Sequence, residues 1–305
     1  MPEGHSIHRL ARQLTDVFAG QRVIATSPQG RFAAGAELLT GRSIRQAQAH
    51  GKQLFVEFAP DATDAVDPLI LRVHLGLYGA FSFGGDEHFR GASSIGAPRR
   101  IGEAESAGAE SGPYAGPPAP VGAVRLRLES EHGWADLRGA SACEVLTAPE
   151  AASVRDRLGP DPLAKPSDQQ PGAAEEEFVR RLGATRTMIG VALMDQSRVA
   201  GVGNIHRAES LFRCGVDPWV AAGAVDTDQL RVLWADLVDI MHDGVRDGRI
   251  VTTEPGDRDP DGELWPSQAH YVYQRQGQEC RRCGATIRMA EVSGRKLYWC
   301  PQCQR

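Results

Sequence analysis

Apolar side chains recur at intervals of three or four over the first twenty residues. The pattern stops at Gly20, and its members fall on one face of a helix: Ile7, Leu10, Leu14, Val17 and Phe18. This spacing predicts an N-terminal amphipathic helix whose apolar face packs against a sheet.

Strand patterns follow this helix. Apolar residues occupy every second position over 54–58 and 124–128, residues 69–75 are rich in apolar side chains, and residues 78–83 are rich in aromatic ones. Residues 1–148 are therefore predicted to form one N-terminal domain, a helix plus a β-sandwich or barrel.

The segment 84–122 breaks the strand pattern. Of its 39 residues, 25 are Gly, Ala, Pro or Ser. Such a composition offers too little apolar surface to order a chain. We expect a disordered surface loop that carries no chemistry.

Helical patterns return after Pro149, over residues 175–182, 187–194, 205–213 and 227–243. They predict a helical domain at 149–265 and leave a small module at 270–305. Within that module, residues 287–289 and 296–299 look like the strands of a hairpin with its tip at 292–295.

Length and composition allow two or three domains, since the chain has 305 residues and 41% of them are hydrophobic. No run of about 18 apolar residues occurs, and the N-terminus lacks the apolar stretch of a secretory signal. We therefore expect a cytoplasmic protein without a membrane partner.

The formal net charge of −5 is unevenly distributed. Residues 270–305 carry seven Lys or Arg against two acids, residues 1–58 seven against four, and residues 220–264 four against eleven. Basic ends on either side of an acidic block are typical of a protein that binds a polyanion through particular surfaces.

Four of the six cysteines form the strongest single motif, Cys280-x2-Cys283-x16-Cys300-x2-Cys303. Two CxxC pairs at this separation predict a tetrahedral site for one zinc ion with four thiolate ligands. Because no ligand position is left for water, the zinc is expected to be structural. A zinc ribbon alone does not indicate a function.

The second and third residues suggest chemistry. Removal of Met1 would leave the secondary amine of Pro2 free. An α-amino group titrates near pH 7.7–8.0, so a substantial fraction is an uncharged nucleophile near neutral pH. Glu3 supplies a carboxyl group that could move protons beside it. On these residues alone, an N-terminal processing signal explains Pro2 better.

Two further features could bind phosphate. Gly201-x-Gly203-Asn204 looks like a glycine turn before a helix, where backbone amides and the Asn204 amide can bind an anion. Arg295 lies at the predicted hairpin tip and could bind phosphate with two hydrogen bonds. By itself, the glycine motif is weak evidence because a tight turn also explains it, and a solvated surface arginine explains Arg295 better.

Taken together, these motifs resemble the bacterial formamidopyrimidine-DNA glycosylase and endonuclease VIII family over nearly the whole chain. The matching segments stand in the family's order: Pro2-Glu3-Gly4, Gly51-Lys52, His74-Leu75-Gly76-Leu77-Tyr78-Gly79, Leu158-Gly159-Pro160-Asp161-Pro162-Leu163, Asp195-Gln196 through Gly203-Asn204-Ile205, Tyr271-Val272-Tyr273-x-Arg275 and the four-cysteine module with Gly294-Arg295. Pro2-Glu3-Gly4-His5 and the 74–79 segment look like the actinobacterial endonuclease VIII-like branch.

The resemblance implies an α+β multidomain protein: an N-terminal helix with a two-layer β-sandwich, a helix–two-turns–helix domain and a zinc-ribbon hairpin. It implies a bifunctional DNA glycosylase and AP lyase of base excision repair, a monomer associated with the nucleoid that acts on damaged double-stranded or single-stranded DNA. Oxidised pyrimidines are the expected substrates, and cleavage would follow β,δ-elimination.

By the same resemblance, Pro2 is the nucleophile that forms a Schiff base, and Glu3 is the general acid and base. Lys52 belongs to the catalytic site and, with Asn204 and Arg295, holds the phosphates that flank the lesion. Leu77 and Tyr78 match the loop that fills the space left by the extruded base, although core packing would also explain two such side chains.

Three departures from the family are visible, and one of them is that the segment 84–122 is longer than expected. Gly76 stands where endonuclease VIII has a polar residue, and Leu137-Arg138-Gly139-Ala140 replaces an arginine-x-phenylalanine-like pair of the formamidopyrimidine branch. A contact of Arg138 with the orphan base is therefore not expected.

Two alternative functions stay open on the sequence. The same chemistry could act on oxidised purines and formamidopyrimidines. Alternatively, the chain could be a non-catalytic zinc-ribbon protein that binds damaged DNA, although such a protein would need neither the Pro2 amine nor the Glu3 carboxyl.

Overall fold

A computed structural model describes residues 2–59, 68–87, 89–97, 116–165 and 171–305. The chain divides into two compact units, Met1–Asp156 and Arg157–Arg305. Each unit is described by itself below.

The first unit contains three helices and nine strands among its described residues. Their bounds are α1 Gly4–Phe18, β1 Ile24–Thr26, α2 Ala33–Leu39, β2 Ile44–His50, β3 Gln53–Phe58, β4 Leu69–His74, β5 Ala80–Gly85, β6 Ser94–Gly96, β7 Val124–Glu129, β8 Gly133–Arg138, β9 Ala142–Leu146 and α3 Ala148–Asp156.

These strands form two antiparallel sheets, with the orders β1-β7-β8-β5-β6 and β2-β3-β4-β9. Alternate residues of both sheets, such as Val56 and Leu126, are buried in one shared core. The two-layer sandwich is confirmed, and the barrel alternative is not realised. The period-two pattern explains this arrangement because alternate strand residues point to one face.

Helix α1 packs on β2 and β3. Its buried face contains four of the five predicted residues, Ile7, Leu10, Leu14 and Phe18, each at most 1% exposed, while Val17 is half-buried. Because this apolar face is held in the core, the start of the helix is fixed relative to the β2–β3 hairpin.

The disordered loop predicted for 84–122 is wrong at its beginning. Strand β5 continues to Gly85, and β6 pairs with it from Ser94 to Gly96. Ile95 is buried, and the Gln13 side chain of α1 hydrogen-bonds both the N–H and the C=O of Ala92 at 2.8 Å. The burial of Ile95 and Ala92 in the core and the two hydrogen bonds from Gln13 order this segment of small residues. Residues 98–115 lie outside the described residues.

Helix α3 belongs to the first unit. Ala151 is fully buried against Phe55 and Ile70 of the β2-β3-β4-β9 sheet. The first unit therefore extends to Asp156, past the position 148 suggested by the return of helical patterns.

The second unit contains the helices α4 Ala173–Gly183, α5 Ile189–Ala192, α6 Asn204–Arg213 and α7 Thr227–Asp247, and the hairpin strands β10 Arg288–Val292 and β11 Arg295–Trp299. The helix predicted over 187–194 forms only the single turn α5. Met188 is extended, and the N–H of Ile189 donates to the carbonyl of Val220, which keeps the helix from starting earlier.

Candidate functional site

The first unit begins with a buried polar terminus. Pro2 is buried, and Glu3 has 0% exposure at the N-cap position of α1, with an extended backbone at φ −118° and ψ −178°. The N–H of Ser6 donates to the Glu3 carbonyl at 3.0 Å. His5 is also buried, and its Nε2 lies 3.1 Å from Ser6 Oγ. The Glu3 backbone is thus tied to the first turn of α1, and its carboxyl lies buried next to Pro2.

Lys52 lies in the two-residue turn between β2 and β3. His50 pairs with Gln53 across this turn, and Gly51 has φ +57°, which a glycine adopts without strain. Lys52 is half-buried. Burial lowers the pKa of the neighbouring His74, and the positive charges of Arg72 and Lys52 lower it further. This hairpin end is therefore cationic, while His74 is neutral near pH 7.

Leu77 and Tyr78 lie in the turn between β4 and β5, where they are 44% and 77% exposed. The backbone beneath them is confined: Gly76 has φ +66°, and a Cβ there would lie 2.9 Å from Ser141 Oγ. Ser141 Oγ donates to the His74 carbonyl at 3.0 Å. The two side chains do not belong to the core and project from a fixed turn.

Arg138 is engaged by protein groups of the first unit. Its guanidinium donates to Asp136 Oδ2, to Ser82 Oγ and to the Val121 carbonyl at 2.7–3.0 Å. Asp136 is buried and also binds Arg127 through two hydrogen bonds. Arg138 therefore connects β8 to its neighbours within this sheet and to the segment that precedes β7.

In the second unit, Asn204 is the first residue of α6 and Gly203 is its N-cap. Gln196 holds the preceding loop, since its side chain accepts from the Gly201 N–H and donates to the Val202 carbonyl at 3.1 Å. The first amides of a helix attract an anion because they lack intrahelical acceptors. Asn204 is largely buried, and its Nδ2 donates to the Lys296 carbonyl at 3.0 Å.

The hairpin turn is confirmed and is formed by Ser293 and Gly294, with φ +51° and φ +71°. Positive φ at both central residues matches the type I′ turn that closes tight hairpins. Val292 pairs with Arg295 across it, so Arg295 is the first strand residue after the turn, and it is exposed. The second unit thus places Asn204 and the Arg295 strand in contact.

Glu209 on α6 is a structural anchor that the sequence reasoning missed. It is fully buried, and its carboxylate accepts from the Tyr271, Val272 and Tyr273 N–H groups at 2.7–2.9 Å and from the Thr252 hydroxyl at 2.5 Å. The local sequence gives no signal for it, because Glu209 stands among other polar residues of α6. This carboxylate attaches the segment that precedes the zinc ribbon to α6.

The four cysteines of the ribbon meet as predicted, and their sulfur atoms all lie within 4.8 Å of one another: Cys280, Cys283, Cys300 and Cys303. Cys280 Sγ lies 3.8 Å from Cys303 Sγ, and Cys283 Sγ lies 3.4 Å from Cys300 Sγ. Tetrahedral zinc with Zn–S bonds of about 2.3 Å requires sulfur atoms about 3.8 Å apart. The cluster therefore fits zinc.

The other two cysteines are not part of this cluster. Burial raises the pKa of both thiols, those of Cys143 and Cys214, to about 12. Both are neutral thiols at physiological pH and behave as small apolar residues.

Three family profiles match consecutive parts of the chain: the formamidopyrimidine-DNA glycosylase N-terminal domain at residues 1–141, the formamidopyrimidine-DNA glycosylase H2TH domain at 158–255, and the zinc finger found in FPG and IleRS at 277–305. Endonuclease 8 1 of Mycobacterium tuberculosis is 40% identical over 305 residues, covering 100% of both chains. The chain belongs to the formamidopyrimidine-DNA glycosylase and endonuclease VIII family. The resemblance drawn from the motifs is confirmed, and with it a DNA glycosylase with AP lyase activity in base excision repair.

Other relatives agree with this assignment. Endonuclease 8 1 of Mycobacterium bovis is also 40% identical over the full length, and the formamidopyrimidine-DNA glycosylase of Parasynechococcus marenigrum is 37% identical over 148 residues, 48% of this chain and 51% of that protein. The structure of the Lactococcus lactis Fpg in complex with abasic-site DNA has a TM-score of 0.71 at 20% identity over 99% of both chains. The last comparison establishes the fold.

No helix among the described residues is long and apolar enough to cross a membrane.

Proposed function

We propose that this enzyme removes oxidised pyrimidines from DNA with Pro2 as its nucleophile, and then cleaves the strand. One observation carries the proposal: a buried Pro2-Glu3 pair begins a chain that is 40% identical over its whole length to Endonuclease 8 1. Removal of Met1 would leave a secondary amine next to this buried carboxyl.

The proposed reaction begins when the Pro2 nitrogen attacks C1′ of an extruded nucleotide. The C1′–N bond to the base breaks, and the base leaves with its electron pair and a proton. Opening of the sugar ring then gives an iminium ion between C1′ and the proline nitrogen. Its charge acidifies the C2′ proton, so β-elimination expels the 3′ phosphate and δ-elimination expels the 5′ phosphate. Water finally releases Pro2.

Glu3 is the proposed proton donor to the ring oxygen O4′ in the opening step. Its burial and its place at the start of α1 support this role because both limit its motion. The same carboxylate could later accept a proton.

Lys52, Asn204 and Arg295 are the proposed phosphate contacts. The half-buried Lys52 lies in a cationic turn of the first unit, while Asn204 and Arg295 belong to neighbouring elements of the second. Phosphate contacts fix the register of the enzyme on DNA without reading sequence.

Replacing Arg295 with alanine is expected to weaken binding to an abasic-analogue duplex by about 10- to 100-fold, since hydrogen bonds to charged groups contribute about 1.5–3 kcal/mol. The slope of log K against log[salt] should fall by about 0.9. Fluorescence anisotropy at several salt concentrations measures both. Arg288→Ala, an exposed arginine at the other end of the hairpin, is the matched control. Equal losses in both variants would contradict a specific role for Arg295.

Leu77 and Tyr78 are proposed to fill the space that the extruded base leaves. Because both are exposed, Leu77→Ala and Tyr78→Ala should change the free energy of unfolding by no more than about 0.5 kcal/mol. Leu126→Ala, in the core, should cost about 2–5 kcal/mol. Yet the two exposed variants should slow base excision in duplex DNA more than in single strands, where no stack must be opened. Denaturant unfolding and single-turnover excision assays separate the two roles.

We also propose that the cluster holds one zinc ion with a structural role. Zinc contributes the folding energy of such modules, with apparent values of about 10–16 kcal/mol in finger peptides. Removing zinc with a chelator, or replacing Cys283 with alanine, should unfold the hairpin and abolish duplex binding while the first unit keeps its thermal transition. Zinc content by mass spectrometry and calorimetry check this, with Cys214→Ala as the control. A chelated protein that still binds DNA as the wild type does would contradict it.

The substrate proposal is tested with untagged protein and three duplexes, which carry an oxidised pyrimidine, an oxidised purine or an abasic site. Borohydride reduces the iminium to a stable crosslink, and mass spectrometry locates it. A crosslink on Pro2 with faster trapping on the pyrimidine duplex is expected. Faster trapping on the purine duplex would identify oxidised purines and formamidopyrimidines as the preferred substrates instead. Tight binding without any crosslink would support a non-catalytic damage-binding protein.

The same assays on single strands compare the two DNA forms as partners. Sedimentation of the free protein tests the proposed monomer.

A further inference from the structure

The outward edge of β11 carries a carbonyl that needs donors. Val292 and Arg295 flank a two-residue turn and form a hydrogen-bonded pair, so the next pair, Glu291 and Lys296, turns its N–H and C=O groups away from the hairpin. A buried carbonyl without a partner costs about 1–3 kcal/mol. The Lys296 carbonyl, adjacent in sequence to Arg295, meets α6 at this edge.

Two side chains of α6 satisfy this carbonyl. Asn204 Nδ2 donates to it at 3.0 Å and Arg207 Nη2 donates to it at 2.9 Å. The same Arg207 Nη2 donates to Asn204 Oδ1, while Nη1 donates to the Gly190 carbonyl of α5 at 2.9 Å. Arg207 is 1% exposed, so its guanidinium does not reach solvent.

This arrangement fixes the direction of the Asn204 amide. Its oxygen accepts from Arg207 and its nitrogen gives one proton to Lys296, so the second proton of that nitrogen has a defined direction. The same guanidinium fixes the strand that begins with Arg295. A single buried cation therefore connects both of the second unit's proposed phosphate ligands.

We propose that Arg207 is a positioning residue for DNA binding, which holds the Asn204 amide and, through the Lys296 carbonyl, the Arg295 end of the hairpin in one arrangement. The inference rests on the proposed phosphate roles of Asn204 and Arg295. Arg207 itself does not touch DNA. Its planar fork serves three acceptors on three elements, and a lysine ammonium does not reproduce that geometry.

The test compares Arg207→Lys in two backgrounds, the wild type and a reference variant with both Asn204→Ala and Arg295→Ala. The probe is a duplex with a tetrahydrofuran abasic analogue. In the wild type, the substitution should weaken binding by about 5- to 30-fold, a size typical of coupled networks. In the reference variant it should change binding by less than about twofold, because the groups that Arg207 positions are gone. A purely structural role would cost the same in both backgrounds.

Arg213→Lys is the matched control. Arg213 is the last residue of α6 and is also engaged, through Asp236, Glu254 and the Thr252 carbonyl, but it contacts neither Asn204 nor the hairpin. Its effect on binding should be equal in both backgrounds. Thermal melts and zinc content establish that each variant is folded. Arg207→Gln, which keeps one NH2 group, is the second variant if Arg207→Lys does not fold.

The outcomes separate the inference from the proposed function. If the reference variant binds as tightly as the wild type, the phosphate roles of Asn204 and Arg295 are wrong. If it binds more weakly but Arg207→Lys costs the same in both backgrounds, only the role of Arg207 is wrong.

A measurement on the wild type decides the case if neither Arg207 variant folds. The scalar coupling across the hydrogen bond between Arg207 Nη2 and the Lys296 carbonyl carbon should be present in the free protein and persist in the duplex complex. Its loss on DNA binding would overturn the inference.

Discussion

Blocking the amine of Pro2 is expected to abolish both base excision and the borohydride crosslink. An N-terminal extension converts the amine into an amide, whose nitrogen lone pair is delocalised and is no longer a nucleophile. Losing the nucleophile of a covalent enzyme costs a factor on the order of 10³ to 10⁶ in rate. Single-turnover excision with an extended protein, followed by trapping, measures this loss.

The sharpest control removes the extension again. A protease that cuts directly before Pro2 should restore excision and trapping in the same preparation, because nothing else in the chain changes. Pro2→Gly keeps a primary amine after Met1 removal and should retain a reduced rate. An extended protein that excises bases at the wild-type rate would eliminate Pro2 as the nucleophile.

Much of the fold could be predicted because its elements are encoded locally. The apolar face of α1, the alternation in β3 and β7 and the cysteine spacing each specify an element within a short window. The predictions that failed concern elements whose extent depends on tertiary contacts. Strand β6 depends on Gln13 from a distant helix, and the shortening of α5 depends on a hydrogen bond to Val220. Neither partner is visible from the local pattern.

The residues of the candidate site likewise fall into those that the sequence predicts and those that only the structure shows. Pro2, Glu3 and the cysteines are recognisable by chemistry and spacing, and Asn204 and Arg295 by their place at a helix start and beside a hairpin turn. Arg207 and Glu209 could not be found in this way. Each looks like an ordinary charged helix residue, and its importance arises from backbone groups of other elements that it binds. Such residues are identified only from the hydrogen-bond partners of buried polar groups in the structure.

Replacing Glu3 with glutamine should separate binding from chemistry. The amide keeps the size of the carboxyl but does not deliver a proton to O4′, so we expect base excision to fall by about 10²- to 10⁴-fold. Affinity for an abasic-analogue duplex should stay within about twofold of the wild type, because the proposed phosphate contacts are unchanged. Stopped-time excision assays and anisotropy titrations give the two quantities.

Glu37→Gln provides the matched control, since Glu37 is an exposed acid on α2 of the same unit. It should leave both quantities unchanged. A DNA strand that already contains an abasic site provides a second test of Glu3. It has no base to remove, and a fraction of its sugar is ring-opened without the enzyme. Glu3→Gln should therefore slow cleavage of that strand less than it slows base excision. Equal slowing would mean that Glu3 acts mainly in elimination, and unchanged excision would exclude it as the acid.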